Sequence, residues 1–461
     1  MTLNEFQNSN VEEQGMLSTV MPHADLDLYQ STQLGYGTRN VVEVALNIVN
    51  AAVGAGVIGL PFALVLAGFT PGLLLSILVA MLMTGAIYSM IVCGQKVGVY
   101  SFAGLAEHTM GQFGFYMLNL MLFIQSAGSC VSYFILVADT LPVLLSMYLP
   151  QYPMLGERQL MTILISVFLI FPLNLFRSIG SLARWSAFSV FLLPIMVLTV
   201  LIRAPSYAGQ NDTPLFSLGR DPVAATGIMS FAFVCSQVAF SNYLSQRNQS
   251  LSTWLQSSAL STTISWTISI SFAVVGYLSF GVNADANIFS NFPVDDHVIN
   301  VGRLALGISM ILTVPMAFFP ARDAMQKALG IETAEKQPSN LQHYSLTVIL
   351  FTIFLTLGVC LHSLGKVYSV VGGIASSFLA YIIPGYAYLK IFRPFPLSST
   401  SGNADELIAF AKTQPTTMAQ QNDDPSKESS STSSCLLSVC ATLLVLFGSM
   451  VMFMTTFGAF R

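Results

Sequence analysis

Residues 47–61 read Asn-Ile-Val-Asn-Ala-Ala-Val-Gly-Ala-Gly-Val-Ile-Gly-Leu-Pro. Three glycines and a proline fall between Gly54 and Pro61, inside a stretch that has no charged residue between Glu43 and Lys96. Glycine frees the backbone; proline removes an N–H and clashes with the turn before it. The residues therefore have the apolarity of a membrane span but specify a continuous helix poorly. Unpaired amides in hydrocarbon cost several kcal/mol each, so a broken helix is tolerated there only where it lines a cavity. Such a break offers carbonyls to a cation and N–H groups to a carboxylate. A kinked helix with tight glycine packing would carry the same residues, and the motif alone leaves both readings open.

The rest of the chain supports the membrane setting. Of 461 residues, 54% are hydrophobic and only 9% charged, against about 25% charged in an ordinary soluble domain. The mean hydropathy is +0.67. The composition excludes an ordinary cytosolic enzyme and a disordered protein, and a net charge of -4 gives no footprint for nucleic acid. A crossing helix needs roughly 20 apolar residues. Charge-free windows predict eleven spans, at 41–67, 72–95, 114–147, 159–175, 181–203, 222–245, 256–280, 300–320, 344–361, 367–390 and 436–459. Residues 101–111 read as a short interfacial helix or a plain loop. The segments 1–38 and 395–434, the latter Ser-rich, read as disordered cytosolic tail and linker around a transporter-like core at 39–394, with 435–461 as a last span.

With the N-terminus in the cytosol, twelve of the eighteen lysines and arginines fall on the cytosolic side, which predicts N-in and C-out. Asn211-Asp-Thr213 then faces outward as a glycosylation candidate, while Asn248-Gln-Ser250 faces the cytosol. The sixth span is a second candidate for interruption. It starts Asp221-Pro222 and reaches Ser230-Phe-Ala-Phe-Val-Cys235-Ser-Gln237, an odd sequence for a lipid-facing helix; polar packing would also explain it. Spans one to five cover 41–203 and six to ten cover 222–390, two stretches of nearly equal length. Equal halves of odd span number imply an inverted repeat, and broken helices at matching positions point to a substrate site at mid-membrane.

At this point Asn50–Ala63 resembles the first-helix signature of the amino acid/auxin permease family. Phe231-Ala-Phe-Val-Cys235 resembles its sixth-helix motif, and Leu312-Thr-Val-Pro315 with Phe319-Pro-Ala-Arg322 its eighth helix. The nearest branch is that of the sodium-coupled neutral amino acid transporters. The resemblance implies an all-α protein with a five-plus-five inverted repeat of the bacterial leucine transporter type, helices 1 and 6 broken, and one extra C-terminal helix. It implies sodium at Asn50 and Thr313 with carbonyls near Ala51 and Gly54. Amides of Gly54, Ala55 and Gly56 would meet the substrate carboxylate, and carbonyls near Phe231 and Ala232 its ammonium. Asn50, Ala51, Cys235 and Ser236 complete the expected substrate contacts, although the family often has histidine after that cysteine, where Ser236 and Gln237 stand here. The cysteine pair of related outer loops is also missing from 204–221 and 281–299.

Asp139, near the outer end of the third span, is a candidate proton carrier, or a structural group capping a break before Pro142. Tyr133 could reach the pocket or fill a helix contact. Asp285, Asp295 and Asp296 read as a solvated acidic loop rather than a calcium site. The six cysteines make no disulfide framework or CxxC site. Only His23 has an i+4 partner, Asp27, in the polar tail, and Glu12–Leu17 loosely resembles an acidic sorting signal. No GxSxG, HExxH or Walker A motif occurs, so no cofactor or catalytic residue is expected. The expectation is a monomeric carrier of small neutral amino acids, at the plasma membrane or an endolysosomal or vacuolar one. Proton coupling through Asp139, and an amino acid sensor with little flux, are the alternatives.

Overall fold

A computed structural model of the chain describes residues 34–35, 37–176, 183–331, 338–392 and 427–459. Among these residues the protein is helical throughout, with a single isolated backbone bridge, Arg39 to Gln246, in place of any strand. The helices are α1 (Val41–Ala52), α2 (Leu60–Ala67), α3 (Phe69–Val97), α4 (Phe102–Tyr148), α5 (Arg158–Asn174) and α6 (Ala183–Arg203). They continue as α7 (Pro222–Phe233), α8 (Ala239–Ser245), α9 (Leu251–Phe280), α10 (His297–Ala328), α11 (Asn340–Cys360), α12 (Leu364–Phe392) and α13 (Lys427–Ala459). Among the described residues, eight helices are long and apolar enough to cross a membrane. The bent pair at the start of the chain, Val41–Ala52 with Gly56–Ala67, passes the same test when its halves are taken together, and Arg158–Asn174 and Phe191–Tyr207 are shorter apolar helices.

The helices sort by packing into two groups. α1, α2, α3, α7 and α9 pack on one another; α10 packs on α4 and α6, and α4 also on α5 and α11. α12 touches both groups, through α7 and α4, and α13 lies against α12 and α3. The outer faces stay apolar: Met81, Phe168, Phe191 and Leu446 are each more than 60% exposed. Such surface would be a liability in water but is solvated by lipid tails.

Several boundaries differ from the charge-window reading, each for a physical reason. The short helix expected at 101–111 runs straight into the third span, and the junction shrinks to Gly111 at φ +67°, ψ −159°. α10 continues to Ala328, past the expected 320, because the Arg322 charge is taken up inside the protein. α13 starts at Lys427, so part of the Ser-rich run expected as linker is helix. The remainder of that linker, at 395–426, lies outside the described residues, as do most of the N-terminal tail, Glu12–Leu17 and His23.

Candidate functional site

α1 is started by a reciprocal cap: Asn40 Oδ1 accepts from the Glu43 N–H and Glu43 Oε2 from the Asn40 N–H, both at 2.9 Å. The helix is two-faced. Val44, Ala45, Ile48 and Ala52 are buried against the bundle, while Leu46, Asn47, Asn50 and Ala51 are exposed. It stops at Val53 (ψ +83°) and Gly54 (φ −123°, ψ −153°), where the chain leaves helical geometry. A 3-10 turn over Ala55–Gly59 follows, then α2, with Pro61 in its first turn, where its missing N–H costs nothing. The two halves meet at 59°. The glycine–proline stretch is therefore a true break.

The sixth span breaks as well. Asp221 caps α7, its Oδ1 accepting from Ala224 N–H at 2.9 Å, and Pro222 opens the helix. Val234 (ψ +122°) and Cys235 (φ −139°, ψ +12°) are non-helical before a 3-10 turn at Ser236–Val238 leads into α8. Buried Ser236 has no hydrogen-bond partner for its hydroxyl among the described residues.

The two breaks come together. A Cβ on Gly56 would lie 2.7 Å from Ala232 Cα, a contact that only glycine allows. Gly56 thus stands beside Ala232. Phe231 stacks on the buried Tyr368 ring of α12 at 4.7 Å, and Ser230 Oγ pairs with Tyr381 Oη at 3.1 Å. Tyr133 is half-buried on α4. Tyr368 and Tyr381 escaped the sequence reading, because no glycine, proline or charge marks them.

The halves beyond the breaks differ in packing. α7 and α12 approach so closely that Gly227 meets the Ser369 backbone and Gly372 the Gly227 carbonyl. On the α1 side, one helix face is open, and Gln237 and Ser241 are exposed beyond the second break. Asn47 Nδ2 donates to Asn242 Oδ1 at 2.7 Å, tying α1 to α8.

Asn50 lies on the open face of α1, which packs mainly on α9, while Thr313 is on α10, which packs mainly on α4 and α6. Thr313 Oγ1 donates to Ser309 O at 2.7 Å, leaving its lone pairs free to accept. Asp139 accepts from Arg158 Nε at 3.0 Å, and Arg158 also donates to the Val359 carbonyl at 3.1 Å. The carboxylate thus anchors α5 to the ends of α4 and α11. Asn211 is half-buried; its Nδ2 donates to Ser279 O and its Oδ1 accepts from Asn283.

The acidic loop before α10 departs from expectation. Asp285 and Asp295 are exposed, but Asp296 is buried and paired. Its Oδ2 accepts from Arg203 Nε at 2.7 Å, and its Oδ1 caps α10 through the Val298 and Ile299 N–H groups. Burial alone would push this carboxyl up; the Arg203 hydrogen bond and the helix N–H groups outweigh it and hold it below the usual carboxylate value. Arg303, also buried, donates to the carbonyls of Phe289, Phe292 and Pro293 and to Asn300 Oδ1. The loop between α9 and α10 is thereby clamped to the second helix group.

Residues 37–401 match the sequence profile of a family described as transmembrane amino acid transporter protein. The chain is 29% identical over 361 residues to the Danio rerio protein named "Putative sodium-coupled neutral amino acid transporter 11", covering 77% of this chain and 80% of that one. Its identity to the Bos taurus protein of the same name is 30% over 352 residues, 75% of each. It is 28% identical over 411 residues to "Vacuolar amino acid transporter 2" of Saccharomyces cerevisiae, 85% of each.

Proposed function

Because this chain belongs to the transmembrane amino acid transporter family, we propose that it is a secondary carrier moving small neutral amino acids into the cytosol together with sodium. The observation that supports the site is the contact of Gly56 with Ala232, which brings two helix breaks to one place. In this reading the Gly54, Ala55 and Gly56 amides meet the substrate carboxylate, carbonyls near Phe231 and Ala232 take its ammonium, and Cys235, Ser236 and Tyr133 border it. Sodium is held by side-chain oxygens of Asn50 and Thr313 and by carbonyls of Ala51 and Gly54. Oxygen donors suit a hard cation, and Thr313 keeps its lone pairs available.

Sodium held between Asn50 of α1 and Thr313 of α10 draws the two helices together. The eight long helices, the bent pair and the two shorter ones make eleven crossings, arranged as a repeated five with α13 added outside. The N-terminus is cytosolic. The names of the animal relatives favour sodium, and the Asp139–Arg158 pairing weighs against Asp139 as a free proton carrier.

The test is uptake by the full chain in proteoliposomes under separate sodium and proton gradients. A sodium gradient is expected to drive accumulation, and Asn50→Ala to remove the sodium dependence. Accumulation driven by protons alone would replace the sodium reading with the vacuolar-type one; binding without accumulation would make the protein a sensor.

A further inference from the structure

α12 is not a regular helix. It carries two wide turns of π-helix, at Gly372–Ser376 and Phe378–Ile382, with Ser377 alone between them. In such a turn an N–H group reaches back five residues instead of four, as Ser377 does to the Gly372 carbonyl and Ile383 to that of Phe378. Each π turn therefore holds about one residue more than the α-helical turn it replaces. Single π turns are rare, so two in succession call for a physical reason.

That reason lies in the side chains they separate. Tyr368 precedes the first turn and Tyr381 sits in the second, thirteen residues later. Both are buried, and both meet α7 just before the second break. Tyr368 stacks on Phe231 with ring centroids 4.7 Å apart, and Tyr381 Oη lies 3.1 Å from Ser230 Oγ. Tyr368 reaches the first break too: a Cβ on Gly59 would lie 2.8 Å from its ring. In a continuous α-helix, at ~100° per residue, thirteen steps would set the two tyrosines about 140° apart around α12. One of them would then face away from α7. With one residue absorbed in each π turn, about eleven helical steps remain, close to three whole turns. The tyrosines then share one side.

Neighbouring helices hold the wide turns in place. A Cβ on Gly372 would run into the Gly227 carbonyl of α7, and one on Gly373 into the Thr455 side chain of α13. Ser377 Oγ donates to the Gly372 carbonyl at 3.1 Å, and Ser376 Oγ to Gln125 Oε1 of α4 at 2.7 Å.

We propose that the two π turns are a phase correction in α12, and that through them Tyr368 and Tyr381 act as positioning residues for transport. They fix Phe231 and Ser230, and so aim the carbonyls at the second break that take the substrate ammonium. The inference rests on the proposed transport function and extends it to a helix outside both breaks. A wholly α-helical α12 could make either contact with α7 but not both.

The experiment uses the full chain in proteoliposomes with L-alanine as the probe. Two variants are made at Ile374, inside the first π turn, whose half-buried side chain takes no part in these contacts. Deleting Ile374 is expected to turn the π turn into an α turn and leave everything beyond it in phase, with uptake within about threefold of the wild type. Inserting an alanine after Ile374 rotates Tyr381 by about 100° and is expected to lower uptake more than tenfold. In an ordinary helix the deletion would do as much damage as the insertion, so loss of uptake in both, or its survival in both, overturns the phase correction. Tyr381→Phe is expected to raise KM about fivefold, the factor that one hydrogen bond of ordinary net strength supplies, with the maximal rate within about twofold. A merely structural loss would reduce the amount of folded carrier and hence the maximal rate, not KM. Ser230→Ala should do the same, and the double variant no more than either alone. Unchanged KM, or increases that multiply in the double variant, overturn the positioning role and leave the transport function standing. A wild type that takes up no amino acid overturns both.

Discussion

Gly56 and Gly54 stand two residues apart in the same break and have opposite steric surroundings. A Cβ at Gly56 runs into the Ala232 backbone, whereas one at Gly54 meets nothing within 4 Å. Gly56→Ala is therefore expected to force the two breaks apart, lowering stability by ~1–3 kcal/mol, the usual range for overpacking. Gly54→Ala should melt near the wild type; equal melting temperatures for the two variants would contradict the close approach. Asp296 gives a pH signature. Its folded carboxyl lies below the unfolded value of about 4, so its stabilisation is complete above that value and is lost as pH falls through the folded one. Melting temperature in detergent should fall with acidification below about pH 4 more steeply in the wild type than in Asp296→Asn. At this scale glycine and proline marked the place of the first break in the sequence, but a kinked, tightly packed helix fitted the same residues equally well. The second was only hinted at: Val234 and Cys235 are ordinary helix residues, and their non-helical angles arise from neighbours in space.

At the scale of elements, α10 holds the second helix group at both ends through arginines. Arg303 grips the loop that precedes it, and Arg322 donates to the carbonyls of Asn174 and Phe176 at the end of α5 and to Thr347 of α11. Their partners are chiefly backbone carbonyls, which carry no sequence identity, so no pattern of residue types could have revealed them. The apolar windows, in contrast, located the helices well, because hydrocarbon demands apolar side chains wherever a helix crosses. The windows failed where a charge was absorbed by such carbonyls. Arg322→Met is expected to orphan the two carbonyls of the α5 end, at about 1–3 kcal/mol for each. Arg322→Lys should recover part of this, since an ammonium lacks the planar fork that reaches separate acceptors at once. A detergent melt in which Met and Lys variants match the wild type would show that α5 is held by its apolar contacts alone.

For the whole molecule, the asymmetry about the breaks matters most. α7 is packed onto α12 glycine against backbone, and the α9–α10 loop is clamped by Arg303, whereas α1 leaves a face open. A carrier that opens to each side in turn must loosen the first arrangement and cover the second. Ligand can drive that exchange only by binding the two states with different affinity. Leu46, 52% exposed on α1 and outside the proposed site, reports the open side; Ala225, fully buried on α7, reports the closed one. With exposed Cys360 replaced by serine, a cysteine at position 46 should react with a membrane-impermeant thiol reagent applied from the N-terminal side. One at position 225 should resist reagent from the opposite side. Sodium and substrate together should slow the first reaction severalfold, as α1 moves toward α10, and quicken the second. If both rates ignored the ligands, the exposed face of α1 would be a fixed surface toward lipid, and the carrier would have to move by parts other than its first helix.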